Sequence, residues 1–258
     1  QLNIKELGLL KVLKASLDRR TASNTCEILA PHLGEMRSYQ VSVVLPLYNG
    51  VQYIRRALDS VMSQTYPIEK VIVVDDGSQD NSVDIVEKYY PEVQILRQMN
   101  KGVASARNAG WKACTTPWIA FIDQDDEWLQ KKIALQIEKA KENSQTDWVG
   151  CYQRFQSVGG ELPTCVNSNF QQDHLSQIPS AWLIRKSILE SLNGFNEKYR
   201  YGSDLDLLRR YRALNLTEQN STETLLIKHF TGENETMSVK ESVKDMLSII
   251  HEQIKSKG

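Results

Sequence analysis

The stretch that decides the fold is Trp118-Ile119-Ala120-Phe121-Ile122-Asp123-Gln124-Asp125-Asp126, five hydrophobic residues followed directly by a run rich in acidic side chains. A short continuous apolar run is typical of a strand that is buried on both faces of a sheet. In an open parallel sheet, ligands bind outside the carboxyl ends of the strands. The sequence therefore predicts a binding site that contains Asp123 and Asp125.

Two more polar clusters follow predicted strands in the same way. The run Val41–Leu47 is followed by Tyr48-Asn49-Gly50, and Val71–Val74 is followed by Asp75-Asp76-Gly77-Ser78. Segments with helical periodicity separate these strands, and strands that alternate with helices indicate a parallel sheet covered on both faces. All three clusters would then meet at one edge of the sheet.

The chain of 258 residues is long enough for one large domain with a sizeable core. The alternation runs from residue 39 to about residue 150 and then breaks down. We expect an α/β domain over residues 39–258, with a mostly parallel central sheet flanked by helices. Residues 39–150 would form a nucleotide-binding half, and residues 151–258 a half that shapes the substrate site.

Residues 1–38 differ from the rest and are interpreted as an N-terminal helical extension or linker. Leucines recur at helical spacing between Leu2 and Leu17, with basic side chains between them. A helix that packs on its own protein is the expected structure. The alternative is that residues 1–20 form a basic amphipathic helix on a membrane surface or on a partner protein.

Composition excludes several classes of protein. The 31 basic and 32 acidic side chains nearly cancel, which argues against a nucleic acid partner. The four cysteines form no C-x-x-C pair, so we expect reduced thiols and a cytoplasmic location, at the membrane face if residues 1–20 bind lipid. No G-x-G-x-x-G or P-loop pattern is present, so a metal and a basic side chain would have to hold a phosphate.

The pair Asp123 and Asp125 has a chemistry that suits such a role. Carboxylate oxygens are hard ligands that Mg²⁺ and Mn²⁺ prefer, often together with phosphate oxygens. The D-x-D spacing by itself is a weak signal, because it occurs again at Asp204 and Asp206. The alternative is that aspartates in this run only cap a helix that begins near Leu129.

Four motifs carry a resemblance to a known family. In chain order they are Val41–Asn49, Val71–Ser78, Asn100-Lys101-Gly102 with Ala106–Gly110, and Phe121–Trp128. Their order and spacing resemble the family 2 glycosyltransferases of GT-A fold over about residues 40–150, and more loosely as far as His229. The resemblance does not include residues 1–38. It implies a GT-A domain over residues 39–258, in which a Rossmann-like nucleotide-sugar-binding half precedes an acceptor-binding half.

The resemblance implies a metal-dependent, hexosyltransferase-type enzyme that transfers a sugar from a nucleoside diphosphate donor, most simply a UDP-sugar, to an acceptor hydroxyl with inversion. The residues that would bind the nucleotide-sugar are Pro46, Tyr48, Asn49, Asp76, Arg107 and Asp123. Among them, Asp76 would accept a hydrogen bond from a uracil-type base, and Arg107 would meet the diphosphate. Asp75 would be a structural turn residue.

A divalent cation, Mn²⁺ or Mg²⁺, is implied in the same way. Asp125 would bind it directly, and His229 would be a second ligand, although a lone histidine after a strand is often only a packed side chain. Asp126 would cap the following helix. Stabilising the charge that collects on the departing diphosphate is the reason for such a metal.

Asp204 matches the position of the family's catalytic base, which takes the proton from the acceptor hydroxyl. The family often has Glu-Asp there, whereas this chain has Ser203-Asp204. Asp206 would point elsewhere and pair with Arg209 or Arg210. The alternative function is therefore a catalytically inactive module that binds a nucleotide-sugar or a protein.

The acceptor would be a glycan, a lipid-linked molecule or a protein, as in the synthesis of polysaccharides, lipopolysaccharides or other glycoconjugates. A glycosidase with paired carboxylates is the weaker hypothesis, because it explains neither the nucleotide-like pocket nor Arg107. The downstream Arg/Trp signature of processive synthases is missing, which favours the addition of one sugar at a time.

Overall fold

A computed structural model describes residues 38–157, 172–230 and 244–249. The predicted N-terminal helix between Leu2 and Leu17 lies outside the described residues. Residues 40–258 form a unit of their own. Within the described residues, no helix is both long and apolar enough to cross a bilayer.

The first half alternates strands and helices as the sequence predicts. Its elements are β1 Val41–Leu47, α1 Ile54–Met62, β2 Lys70–Asp75, α2 Ser82–Tyr89, β3 Gln94–Arg97, α3 Val103–Ala113 and β4 Trp118–Phe121. Every residue of β1 and β4 is buried, as expected of central strands that are covered on both faces.

The second half is irregular, with short strands and short helices. Its elements are β5 Asp126–Trp128, α4 Lys132–Glu142, β6 Thr146–Ser157, β7 His174–Leu175, a 3₁₀ turn Pro179–Ala181, β8 Leu183–Arg185, α5 Lys186–Ser191, α6 Ser203–Ala213 and β9 Thr217–Phe230. Residues 244–249 are also helical.

The described strands form one sheet in the order β3-β2-β1-β4-β8-β6-β9-β5, with β7 paired to β6. The four strands β3, β2, β1 and β4 are parallel, whereas β8 is antiparallel to both of its neighbours. The first half is therefore a doubly covered parallel sheet, and the second half extends it as a mixed sheet.

The expectation that Asp126 caps a helix is wrong. The helix predicted from Leu129 begins at Lys132, and Asp126 instead opens β5, a three-residue strand antiparallel to β9. The partner strand β9 is long and extends from Thr217 to Phe230. Its length supplies the hydrogen-bonding edge that draws residues 126–128 into the sheet.

An aromatic cluster lies in the core of the second half. Trp148 packs on Trp182 with ring centroids 4.5 Å apart, and on Tyr211 at 4.6 Å. Phe195 lies parallel to Trp182 at 6.5 Å and meets Phe121 of β4 edge to face at 5.3 Å. Because Trp182 is only 1% exposed, it is a core residue and offers no platform for a sugar. Such rings supply large apolar area, and their packing fixes α6 relative to β4.

Close packing of α3 on the sheet depends on Gly110. A Cβ atom at this position would lie 2.3 Å from Cγ1 of Val44 and 3.1 Å from Cγ2 of Val74. Alanine is the better helix former by about 1 kcal/mol, so an open site would be stabilised by the substitution. Here the contact with β1 opposes that gain.

We therefore expect Gly110→Ala to lower the free energy of unfolding by about 1–3 kcal/mol, as overpacked cores generally do. Urea denaturation of the two proteins measures this difference. In a double-mutant cycle, Val44→Ala should relieve part of the clash, so that the double variant is more stable than the sum of the single effects predicts. Equal or higher stability of Gly110→Ala would contradict the close contact.

Candidate active site

The loop after β1 is held by a side chain of the acidic run. The backbone N–H of Tyr48 donates to Oε1 of Gln124 at 2.9 Å, and Nε2 of Gln124 donates back to the Tyr48 carbonyl at 3.0 Å. The Gln124 amide thus bonds to the backbone N–H and carbonyl of Tyr48, as a neighbouring strand would. It fixes the backbone of Tyr48, whose side chain is exposed. The sequence pattern gives no sign of this role, since D-x-D patterns leave the middle position free.

The loops after β1 and β2 also hold each other. Asn49, in the left-handed region with φ 47°, accepts at its side-chain oxygen from the backbone N–H of Gln79 at 2.8 Å. Its own N–H donates to the Ser78 hydroxyl at 3.1 Å. Asp75 accepts from the N–H of Ser78, which makes it the turn residue that was expected. The polar clusters after β1 and β2 therefore form one connected surface.

Asp76 is 3% exposed and accepts three hydrogen bonds from its own chain. The backbone N–H groups of Lys101 and Gly102 donate to it at 2.9 and 2.8 Å, and Nε2 of Gln98 donates at 2.7 Å. Gly102 has φ 91°, which a residue with a side chain rarely adopts. Asp76 thus shapes the turn before α3. Its predicted contact with a base would add to these bonds, because a carboxylate accepts about four.

Arg107 and Asp123 form a close ion pair, with 2.6 Å between Nη2 and Oδ1. The side chains are 6% and 22% exposed, so the pair lies at the boundary between core and solvent. Burial alone would raise the pKa of Asp123, but the charges of Arg107 and Lys228 hold it below the ordinary value. The structure therefore brings together two residues that the sequence assigned to the donor.

Lys228 of β9 is a functional candidate that the sequence analysis missed. Its ammonium lies 2.9 Å from Oδ1 of Asp126 and 3.6 Å from Oδ1 of Asp125. Burial alone would lower the pKa of Lys228, but Asp126, Asp125 and Asp123 raise it above the ordinary value. The lysine therefore stays charged. Only the register of β5 against β9, which places Lys228 opposite Asp126, shows this contact.

His229 lies next to Lys228 but interacts with a different acid. Its Nε2 is 2.9 Å from Oε2 of Glu127, and the residue is 4% exposed. Burial lowers the pKa of His229, while Glu127 and, at longer range, Asp125 act in the opposite direction. Its predicted role as a metal ligand stays a prediction.

A divalent cation suits this site by ligand chemistry. Asp123 and Asp125 present carboxylate oxygens with side chains 22% and 19% exposed, which are hard ligands within reach of solvent. In the part of the chain that the structure describes, no group of three or more His, Cys, Asp or Glu side chains could hold a metal. Phosphate oxygens of a donor would have to complete the ligand set.

Asp204 lies in the first turn of α6, in the second half of the chain. Burial raises the pKa of Asp204, Arg107 lowers it and Asp123 raises it, so its carboxylate is within electrostatic range of the Arg107–Asp123 pair. Asp206 instead accepts from Arg209 at 3.1 Å and from Arg210 at 2.7 Å, as expected. Asp204 thus interacts with the Arg107–Asp123 pair, whereas Asp206 pairs with arginines of its own helix.

Asn108 connects the two halves next to this cluster. Its Nδ2 donates to the Phe195 carbonyl and to Glu197, both at 2.8 Å, and its Oδ1 accepts from the N–H of Phe195 and from Nε1 of Trp111. The amide thereby uses its two donors and two acceptor sites. The segment 194–197 precedes α6, so Asn108 helps to set the position of Asp204.

Comparison with known proteins identifies the family. The family described as "Glycosyl transferase family 2" matches residues 42–192, which is more than half of the chain. The chain belongs to glycosyl transferase family 2. The expected family membership is thereby confirmed.

Relatives named glycosyltransferases share part of this sequence. An uncharacterized glycosyltransferase of Rickettsia bellii is 29% identical over 78% of this chain and 30% of its own length. Escherichia coli WfgD, named UDP-Glc:alpha-D-GlcNAc-diphosphoundecaprenol beta-1,3-glucosyltransferase, is 34% identical over 46% of this chain and 47% of its own. This family 2 chain spans less than half of the length of these two relatives.

Solved structures show the fold. Staphylococcus aureus TarS 1–349 in complex with UDP-GlcNAc has a TM-score of 0.64 and 22% identity, covering 81% of this chain and 65% of TarS 1–349. Mannosyltransferase PcManGT from Pyrobaculum calidifontis, in complex with GDP-Man and Mn²⁺, has a TM-score of 0.65 and 16% identity. The match covers 84% of this chain and 64% of PcManGT. The expected GT-A fold is confirmed.

The two hydrogen bonds of Gln124 hold the Tyr48 loop in one conformation. Gln124→Leu keeps the size of the side chain but removes both bonds to Tyr48, each of which contributes about 0.5–1.5 kcal/mol. If the Tyr48 loop contacts the nucleotide, UDP affinity should fall roughly three- to thirtyfold, because the loop must be ordered on binding. Isothermal titration calorimetry with UDP measures the change.

Gln145→Leu is the matched control, since Gln145 is exposed and lies in the turn after α4. It should bind UDP like the unmodified chain. Unchanged affinity in Gln124→Leu would mean that the ordered Tyr48 loop does not contribute to nucleotide binding.

Proposed function

We propose that this chain transfers a sugar from a nucleoside diphosphate donor to an acceptor hydroxyl, with inversion at the anomeric carbon. The observation that carries the proposal is the position of Asp204. A carboxylate of the second half lies within electrostatic range of the Arg107–Asp123 pair of the first half, and burial raises its pKa. A base from one half within electrostatic range of a diphosphate-binding group of the other half is the arrangement this reaction needs.

The donor would bind along the edge formed by the loops after β1, β2 and β4. Tyr48 is 41% exposed and would cover a base, with Asn49 beside it in the same loop. Pro46 is buried near the end of β1, and Asp76 directly follows β2. Arg107 would turn from Asp123 towards the diphosphate, since both oxyanions compete for the same guanidinium. A UDP-sugar is the proposed donor, because TarS was solved with UDP and UDP-GlcNAc.

Asp125, together with Asp123, would hold Mn²⁺ or Mg²⁺ against the diphosphate. The metal would supply Lewis-acid stabilisation of the charge that the leaving group collects. Arg107, once turned towards the diphosphate, would contribute its positive charge to the same stabilisation. PcManGT, a protein of the same fold, was solved with Mn²⁺.

Asp204 would act as the general base. As the acceptor oxygen attacks the anomeric carbon, its proton passes to the Asp204 carboxylate, and the bond to the nucleoside diphosphate breaks on the opposite face. A raised pKa brings a carboxylate closer to the proton affinity that this transfer needs. One displacement by one nucleophile inverts the configuration.

We propose polysaccharide or other glycoconjugate synthesis as the setting, with a glycan, lipid-linked or protein acceptor. The name of WfgD, which specifies a diphosphoundecaprenol acceptor, supports the lipid-linked class. A lipid-linked acceptor would place the reaction at the cytoplasmic membrane face. We also propose that residues 1–20 contact the membrane or a partner protein, because basic side chains lie between leucines at helical spacing. These residues lie outside the described ranges.

Asp125→Asn should abolish the part of UDP binding that depends on Mn²⁺, because it replaces a charged oxygen ligand by a neutral amide. Calorimetric titration of UDP with and without Mn²⁺ measures this part. The fold should persist, as judged by circular dichroism, since Asp125 is near the surface. An unchanged gain in affinity on adding Mn²⁺ would exclude Asp125 as the metal ligand.

Asp204→Asn should lower turnover by about 10²–10⁴, since the amide cannot accept the proton. UDP and Mn²⁺ binding should remain, because the groups that hold them lie on other elements. Donor hydrolysis or transfer, with a melting temperature on the same sample, distinguishes this role from helix capping, whose loss would cost about 1 kcal/mol of stability.

The pH profile adds an independent measurement. A base with a raised pKa is protonated and inactive below that pKa, so kcat/KM should rise with pH through a value above the ordinary 3.8 of aspartate. This acid limb should be missing in Asp204→Asn. A chain that binds UDP but turns over no donor, with or without Asp204, would instead be the catalytically inactive module.

A further inference from the structure

Lys228 is anchored more firmly than a surface lysine. Its partner Asp126 is 0% exposed and lies directly opposite it in the β5–β9 pair. Leaving a buried carboxylate without its cation is strongly unfavourable, so the ammonium stays within this pair. The Lys228 side chain is itself only 14% exposed.

The same ammonium reaches Asp125, which the proposed function assigns to the metal. The distance between Nζ and Oδ1 of Asp125 is 3.6 Å, longer than the 2.9 Å to Asp126. The guanidinium of Arg56 lies close to the same residue, since Nη2 donates to the Asp125 carbonyl at 3.0 Å. Asp125 is therefore next to two positive charges before any metal binds.

A divalent cation on Asp125 would come close to this ammonium. If Lys228 moved away from Asp126, it would leave a buried carboxylate without a partner. The ammonium therefore stays close to Asp125. Charges of the same sign repel each other strongly where protein screens them less than water does. Two negative phosphate groups of a bound donor would offset this repulsion.

We propose that Lys228 is a tethered cation that competes with the divalent metal for Asp125. The residue then acts as a specificity determinant of the site, because free metal binds weakly and metal accompanied by a diphosphate binds well. The inference rests on the proposed function only in taking Asp125 as the metal ligand. It assigns to this chain a lysine that neither the family motifs nor the sequence pattern indicated.

The test measures binding of Mn²⁺ alone, by electron paramagnetic resonance of the free ion, with no nucleotide and no activity assay. Lys228→Met should bind Mn²⁺ about tenfold more tightly than the unmodified chain. Lys186→Met is the matched control, because it also removes one positive charge but lies at the start of α5, where Lys186 pairs with Glu190. It should leave Mn²⁺ affinity unchanged.

A double variant keeps the test decisive if Lys228→Met does not fold. In Lys228→Met with Asp126→Asn, the buried charge pair is removed as a unit, so the formal charge of the chain is unchanged. Any gain in affinity then comes from the lost contact with Asp125 and not from net charge. We expect Mn²⁺ binding at least about threefold tighter than in the unmodified chain. Adding Asp125→Asn should remove the gain.

Unchanged or weaker Mn²⁺ binding in the double variant would overturn the inference, since it would mean that Lys228 orients Asp125 for the metal or does not affect it. This result is distinct from failure of the proposed function. If the proposed function fails, the unmodified chain binds no UDP in the presence of Mn²⁺, and neither does any variant at position 228.

Discussion

The arrangement of the site depends on the hydrogen bonds of the Asn108 side-chain amide. It makes four hydrogen bonds, three of them to Phe195 and Glu197 and the fourth within α3 to Trp111. A Cβ atom on Gly194 would lie 2.4 Å from Oδ1 of this amide, so the chain must have glycine at the turn with φ 64°. Because α6 follows this segment, the position of Asp204 depends on this amide.

Arg107 is the neighbour of Asn108 on α3 and connects the same helix to the acidic run. One helix turn thus carries a polar contact to the second half and an ion pair to the end of β4. Gly110 lets this helix approach β1 closely. A small shift of α3 would therefore move Arg107, the proposed diphosphate-binding group, relative to Asp204, the proposed base.

The acidic side chains after β4 and the basic side chains around them form one cluster of charges. Asp123 pairs with Arg107, whereas Asp125 and Asp126 share the single charge of Lys228. Buried carboxylates without such partners would take up protons or destabilise the fold. Arg107 and Lys228 thus stabilise the buried acidic side chains. In the proposed function, a diphosphate would compete for Arg107, and a metal on Asp125 would lie close to Lys228.

The sequence indicated much of the first half, because its elements follow local rules. The apolar run before Asp123 and the alternation from Val41 onward gave the parallel strands, and the pairing of Asp206 with Arg209 and Arg210 followed from helical spacing. The same rules failed at Asp126. A three-residue strand has no periodicity of its own, and it forms only because β9 offers an edge.

By itself, the sequence determined which residues end the parallel strands, and hence where polar side chains collect, since strand polarity places carboxyl ends together. Only the tertiary structure decided which of these side chains meet. Gln124 contacts Tyr48 across 76 residues, and Lys228 reaches Asp126 and Asp125 across about a hundred. Hydrogen bonds and ion pairs act over a few ångströms in space, whereas a linear pattern records only distance along the chain.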